Sequence, residues 1–149
     1  MSPKILPAAT LLPFLALALL AGCSSLDIRK VVDLTPFKHV YVVHRLTDDR
    51  HVDEMFVHEL QGLGHDASSG PLTMLPDNAD AILTYQDRWE WDFKSYLIEL
   101  DLELRTARTD KKLADGRYYQ PSPKTKAPPE VIHDLLAPLF AGPSTKTAR

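Results

Sequence analysis

The sequence predicts an α+β domain with the element order β-α-β-β-β-α, an antiparallel or mixed sheet, and two helices packed on one of its faces. Three observations predict it. Residues 79–91 and 96–106 alternate apolar and polar positions with period two, as strands with one buried face do. Residues 50–63 and 128–140 instead repeat their apolar positions every three or four residues, as amphipathic helices do. Between the N-terminal region and the first helix lies Phe37–His44 (FKHVYVVH), rich in β-branched and aromatic residues, which reads as a buried first strand.

The N-terminus comes first in chain order. Lys4 is the one charged side chain before Asp27. An apolar stretch from Ile5 to Leu20 follows, interrupted by Pro7 and Pro13. Crossing the hydrocarbon of a bilayer takes about 20 apolar residues, so this stretch reads as the core of a secretion signal over residues 1–22. It ends in Leu20-Ala21-Gly22-Cys23. This run resembles the lipobox of bacterial lipoprotein precursors, in which small residues admit the signal peptidase and the Cys thiol carries a diacylglyceryl group. The resemblance implies that Cys23 becomes the acylated first residue of the mature protein. Ser24, where Asp would favour inner-membrane retention in Gram-negative lipoproteins, implies an outer-membrane address on the periplasmic face. Cys23 is also the only cysteine, so no intramolecular disulfide can form. One acyl chain holds a protein marginally and two or more hold it stably.

Residues 23–36 read as the lipidated Cys and a tether, up to about 40 Å long if fully extended at ~3.3 Å per residue. A single domain is expected over 37–140, and a disordered tail over 141–149. After the first strand, Thr47-Asp48-Asp49 offers helix caps. Val52, Met55, Phe56, Leu60 and Leu63 share one face of the first helix, with Asp53 and Glu54 in its first turn and Gly62 and Gly64 as stop signals. Residues 65–78 read as a loop. A four-residue turn, Asp92–Ser95, pairs Trp91 with Tyr96 and puts Trp89 opposite Ile98, Tyr85 opposite Leu102 and Leu83 opposite Leu104, with Arg88 facing Glu99 on the other side. A last strand over about 113–119 has an ambiguous facing, since Leu113 and Ala114-Gly116-Tyr118 can each point inward. Pro128 and Pro129 suit a helix start. Val131, Ile132, Leu135, Leu136, Leu139 and Phe140 make the second helix's apolar face, with Pro138 expected to end or kink it near Ala137. The arrangement looks like small envelope lipoproteins with an α+β sandwich, including those similar to the N-terminal domain of TolB. The Tyr85-x-Asp87-x-Trp89-x-Trp91-Asp92 run resembles a pattern of proteobacterial envelope lipoproteins. Neither resemblance implies an activity.

The whole chain carries 17 basic and 20 acidic residues, net −3, and loss of Lys4 makes the balance more acidic still. That is not a nucleic-acid-binding balance. Nucleophile elbow, phosphate-binding Gly-rich loop, dinucleotide fingerprint and Cys-based metal motif are all lacking in the sequence, so no cofactor and no enzymatic activity are expected. Asp87 stands out because it lies on the face of Leu83, Tyr85 and Trp89, where a carboxylate needs a backbone N–H, an indole or a cation such as Arg117. Glu59 raises the same question on the first helix, and the two would form an acid/base pair if they shared a cleft. Trp89 and Trp91 can anchor an interface or fill the core. His51, Glu54 and His58 share the polar side of the first helix and form the metal-ligand candidate. Glu99, Asp101 and Glu103 line one face of a strand, as a solvated sheet does. The reading expected from all this is a non-catalytic accessory or binding lipoprotein of the envelope, held by lipid on Cys23 and working through a protein partner. A carrier or sensor of an envelope ligand, and a metal-dependent hydrolase, are the alternatives.

Overall fold

The computed structural model describes residues 24–121 and 126–142; the stretch read as a secretion signal, Cys23 and the tail from residue 143 lie outside them. Eight elements run in the order β1 (Ser25–Lys30), β2 (His39–Val43), α1 (Val52–Gly62), β3 (Asp66–Gly70), β4 (Ala81–Asp92), β5 (Lys94–Thr106), β6 (Lys112–Tyr119) and α2 (Pro128–Phe140). The strands form one six-stranded mixed sheet in the order β1-β6-β5-β4-β2-β3. β2 pairs in parallel with β3 and β4, and the other neighbours are antiparallel. This is the expected α+β class, with two strands more than the sequence pattern gives.

Both helices cover one face of the sheet. Val52, Phe56 and Leu60 of α1, and Val131, Ile132, Leu135, Leu136 and Leu139 of α2, are fully buried with Leu83, Leu100 and Leu104 of the sheet. The 3.6-residue spacing of these apolar positions puts them on one stripe of each helix, and burying that stripe stabilises the helices far more than propensity does. α2 approaches β6 closely over Gly116, where an added Cβ would lie 3.0 Å from a Leu135 methyl. Its entry follows the sequence signals: Pro128 and Pro129 open it, and the Glu130 carboxylate accepts from the Ala127 N–H (3.1 Å). Pro138 does not end it. The helix continues to Phe140, because a proline in the last turn removes only one hydrogen bond while buried Leu139 and Phe140 hold that turn in the core.

Three further expectations are corrected, and one facing left open is resolved. The segment read as a tether contains β1, which pairs over its whole length with β6 from Ser25↔Tyr119 to Lys30↔Ala114. Its alternation of Leu26 and Ile28 with charged residues is that of an edge strand. The segment read as a loop contains β3, whose sequence DASSG has little strand propensity. Parallel pairing with β2 makes it a strand, and Gly70 leaves room there for the Tyr41 hydroxyl, which an added Cβ would approach to 2.5 Å.

The β4–β5 register matches from Leu83↔Leu104 through Arg88↔Glu99 and then shifts by one. Beyond this bulge Trp89 faces Leu97 and Trp91 faces Ser95, and the hairpin closes through Phe93 with φ 59°. A second bulge resolves β6: Leu104 pairs with Ala114 and Arg105 with Lys112, so Leu113 is the extra residue and both it and Ala114 are buried.

Candidate functional site

Three places carry chemistry: the head of α1, the uncovered face of the sheet, and the hairpin that projects from it. The head of α1 is built around Asp48. His51, just before the helix, has φ 58° and makes no side-chain cap. Asp48 reaches across instead. Its Oδ2 accepts from the N–H groups of Val52 (2.8 Å) and Asp53 (3.3 Å) and from the Tyr85 hydroxyl (2.6 Å), while Oδ1 accepts from the Arg50 N–H (2.9 Å). These donors are the helix-end N–H groups that otherwise lack partners, together with one buried phenol. Burial opposes the charge on Asp48, but the bonds from Tyr85 and the three N–H groups outweigh it and hold the carboxyl below its ordinary range. Burial and this same carboxylate push the Tyr85 phenol far up.

Asp87 lies beside this cap. Its side chain is largely buried, is ion-paired with Arg45, and accepts from the Trp89 indole N–H (2.6 Å). So the expected carboxylate partner is an indole and an arginine, but the arginine is Arg45; Arg117 pairs with Glu99 and Asp101 on the opposite face of the sheet. Arg50 stacks over the Trp89 ring at 4.3 Å, and Trp89 packs against the core. Trp91, two residues on, is 74% exposed. The aromatic pair is therefore split into one packing residue and one free one.

Glu59 has a different neighbour: its carboxylate bonds His133 of α2 at 2.6 Å, and this bond raises the imidazole above its ordinary value. Asp87 and Glu59 thus have separate partners on separate elements, and the structure does not bring them together. His51 and Glu54 form an exposed pair at 3.4 Å, and His58 is exposed without joining them.

The metal-ligand group that the structure does assemble is another one, His44, Asp48 and Asp53, with ligand atoms within 4.8 Å of one another. His44 Nδ1 lies 3.0 Å from Asp53 Oδ2, and Asp53 Oδ1 is buried without a hydrogen-bond partner among the described residues. Two carboxylates and an imidazole are a donor set for a divalent cation. Asp48, however, already accepts four hydrogen bonds in capping α1. The sequence carried half of this arrangement, an Asp ahead of a helix, and nothing in it pointed to Tyr85 or His44.

Among the described residues no helix covers the second face of the sheet. Its outward residues on β1, β4, β5 and β6 line a shallow concavity of about 770 Å³ that includes Asp27, Arg29, Gln86, Asp101, Glu103 and Arg117. The charges are cross-paired: Glu99 with Arg88 (3.0 Å) and Arg117, Glu103 with Lys112 (3.3 Å) and Arg105, and Asp115 with Lys112 (3.0 Å). Burial raises the Asp101 carboxyl, and Arg117 offsets it only in part against the like charge of Glu99. Burial also opposes Glu103, but hydrogen bonds from Arg105 and Lys112 bring it below its ordinary value.

No family model matches the chain, and no curated protein sequence does. Among solved structures it is similar to the PelC dodecamer from Paraburkholderia phytofirmans, with 16% identity and a TM-score of 0.61 over 80% of this chain and 99% of that one. A second crystal form of that protein, carrying one substitution, gives a TM-score of 0.60. A minor lipoprotein from Acinetobacter baumannii aligns with 20% identity over 70% of this chain and 88% of that one, with a TM-score of 0.36. At these identities the PelC likeness is one of fold. No helix among the described residues is long and apolar enough to cross a membrane.

Proposed function

We propose that this protein is a lipid-anchored accessory module of the bacterial envelope, held by acyl chains on Cys23 at the periplasmic face of the outer membrane, and that it works without catalysis by presenting the uncovered face of its sheet to an envelope protein. The observation that carries the reading is that face. It is broad and concave, and Glu99, Asp101, Glu103 and Asp115 already pair with cations of the same face. Such a face meets a complementary polar surface with little unpaired charge to desolvate, and complementary charge sets partner choice and association rate. The lipobox-like run at Cys23 supports the anchor.

Crosslinking of the native protein in membranes, followed by co-purification and mass spectrometry, tests the reading. One reproducible envelope partner is expected. Arg29→Glu combined with Arg117→Glu is expected to reduce its recovery to background while the melting temperature stays within a few degrees of wild type. Cys23→Ser is expected to leave the chain unlipidated and uncleaved, and to lose the same partner. Unchanged recovery from the double variant would remove the sheet face from the account.

A second reading is favoured by the dodecameric assembly of the PelC neighbour: the partner is another copy of this chain. Light scattering on the lipidated protein extracted in detergent, corrected for bound detergent, separates the two, since a monomer mass leaves only a different partner.

A further inference from the structure

The strand directions place most of the exposed apolar surface at one end of the sheet. β4 extends well beyond its parallel partner: β2 ends at Val43, just past its last pairing, Val42↔Leu83, while β4 runs on to Asp92. On the other side β6 stops pairing with β5 at Glu99↔Tyr119, while β5 begins at Lys94. The β4–β5 hairpin therefore projects past both neighbours, and its tip carries Trp91 and Phe93, 74% and 94% exposed. Leu46, 97% exposed, and the exposed Leu72 and Met74 follow the C-terminal ends of β2 and β3, which run in the direction of β4. Leu26 is the second residue of β1, and Ser25 stands level with Tyr119 and hence with Glu99. These six lie toward one end, whereas exposed Val31 and Val32 follow β1 at the other.

The same end is where the chain outside the described residues joins the sheet. Cys23 precedes Ser25 by two residues, so at most ~7 Å of chain separates the thiol-bearing residue from β1. From these two facts we infer that the hairpin tip enters the bilayer interface, with Trp91 and Phe93 as a second, non-covalent membrane contact beside the lipid on Cys23. The inference rests on the anchored reading above.

The lengths agree. From the level of Ser25 to Lys94 is five residues of β5, about 16 Å at ~3.3 Å per residue. Less the reach back to Cys23, the tip stands roughly 10 Å beyond the anchored residue, the depth to which interfacial apolar groups enter the headgroup and upper acyl region. Indole is the side chain most suited to that depth, having an apolar body and one N–H donor. Glu90 and Asp92 flank Trp91 and Lys94 follows, so the tip carries no net attraction for anionic lipid. The surface it fits is therefore a zwitterionic phospholipid bilayer, bound through apolar contact and indifferent to salt. A domain held at two points would keep the uncovered sheet face at a fixed angle to the membrane, whereas a lipid on a free tether would let it swing.

The test is tryptophan emission of the full-length lipidated protein in phosphatidylcholine vesicles, with and without brominated acyl chains, for wild type and Trp91→Phe. Intact mass on the same sample reads the lipid. Wild-type emission is expected to be blue-shifted and to lose intensity with the brominated lipid, unchanged by added salt, and Trp91→Phe is expected to abolish that quenched component. Trp91 is exposed, so its substitution leaves the core untouched. A lipidated sample in which Trp91 is not quenched overturns the tip contact and leaves the anchor standing. A sample whose mass lacks the lipid overturns the anchor and the tip contact with it.

Discussion

Replacing Phe56 by Ala is expected to destabilise the domain by about 3–5 kcal/mol, the range for removing a buried aromatic ring. Phe56 is fully buried at the middle of α1, and its ring centroid lies 5.3 Å from that of Tyr85 on β4. The ring therefore joins the helix to the strand that forms the projecting hairpin. Small domains have only about 5–15 kcal/mol in total, so this change removes a large share of it. Urea unfolding checks it: the midpoint should fall steeply with little change in slope. A loss under 1 kcal/mol would mean that α1 is not packed as described. Trp91→Ala, on the exposed tip, is the matched control and should leave the midpoint where it is.

Asp48→Ala is expected to cost about 2–4 kcal/mol, combining a lost helix cap with a buried phenol left without its acceptor. The two parts separate in a double-mutant cycle. Tyr85→Phe removes the hydroxyl that Asp48 accepts from, so in the Asp48→Ala background it should cost less than it does alone. The charge on Asp48 also gives a pH signature. Its carboxyl is held lower in the folded state than in the unfolded chain, where it is near ~3.9. The folded state therefore gains stability from it above the unfolded value, and this is lost as pH falls through the lowered folded value. Asp48→Asn should flatten stability between pH 5 and the acid limit of folding, while leaving Tyr85 an acceptor.

Much of this fold is legible in the sequence because burial has a period. Leu83, Tyr85, Leu100, Leu102 and Leu104 alternate with polar or charged neighbours, and that alternation fixes the pairing of β4 with β5 up to Arg88↔Glu99. The stripes of α1 and α2 are legible for the same reason. Alternation carries no mark of where one residue is inserted, so the bulge before Trp89 and the extra residue at Leu113 were not readable. β3 was hidden because its DASSG sequence becomes a strand only through pairing with β2. β1 was hidden by its position: next to a cysteine read as an anchor, Leu26 and Ile28 look like a tether. At the head of α1 the sequence displayed Asp48 as a cap and Asp87 as an inward carboxylate. The residues that complete them, Tyr85, Arg45 and His44, come from β4 and from the turn after β2, and only the parallel pairing of those strands brings them together.

β1 changes the meaning of the anchor. A lipid on Cys23 followed by a long tether would leave the domain free above the membrane. On the proposed anchoring, a lipid two residues from the edge strand β1 would instead fix one end of the domain at the surface. The arrangement would then have a direction: hairpin tip toward lipid, charged sheet face to the side.

The measurement that tests the central claim most directly is the intact mass and N-terminal sequence of the protein extracted from the membrane fraction of its native host. The expected result is a chain that begins at Cys23 and carries the added mass of a diacylglyceryl group and an amide-linked acyl chain, shifted to an unlipidated, uncleaved species in Cys23→Ser. A chain that retains residues 1–22, or one that begins at Cys23 with a free thiol, would contradict it.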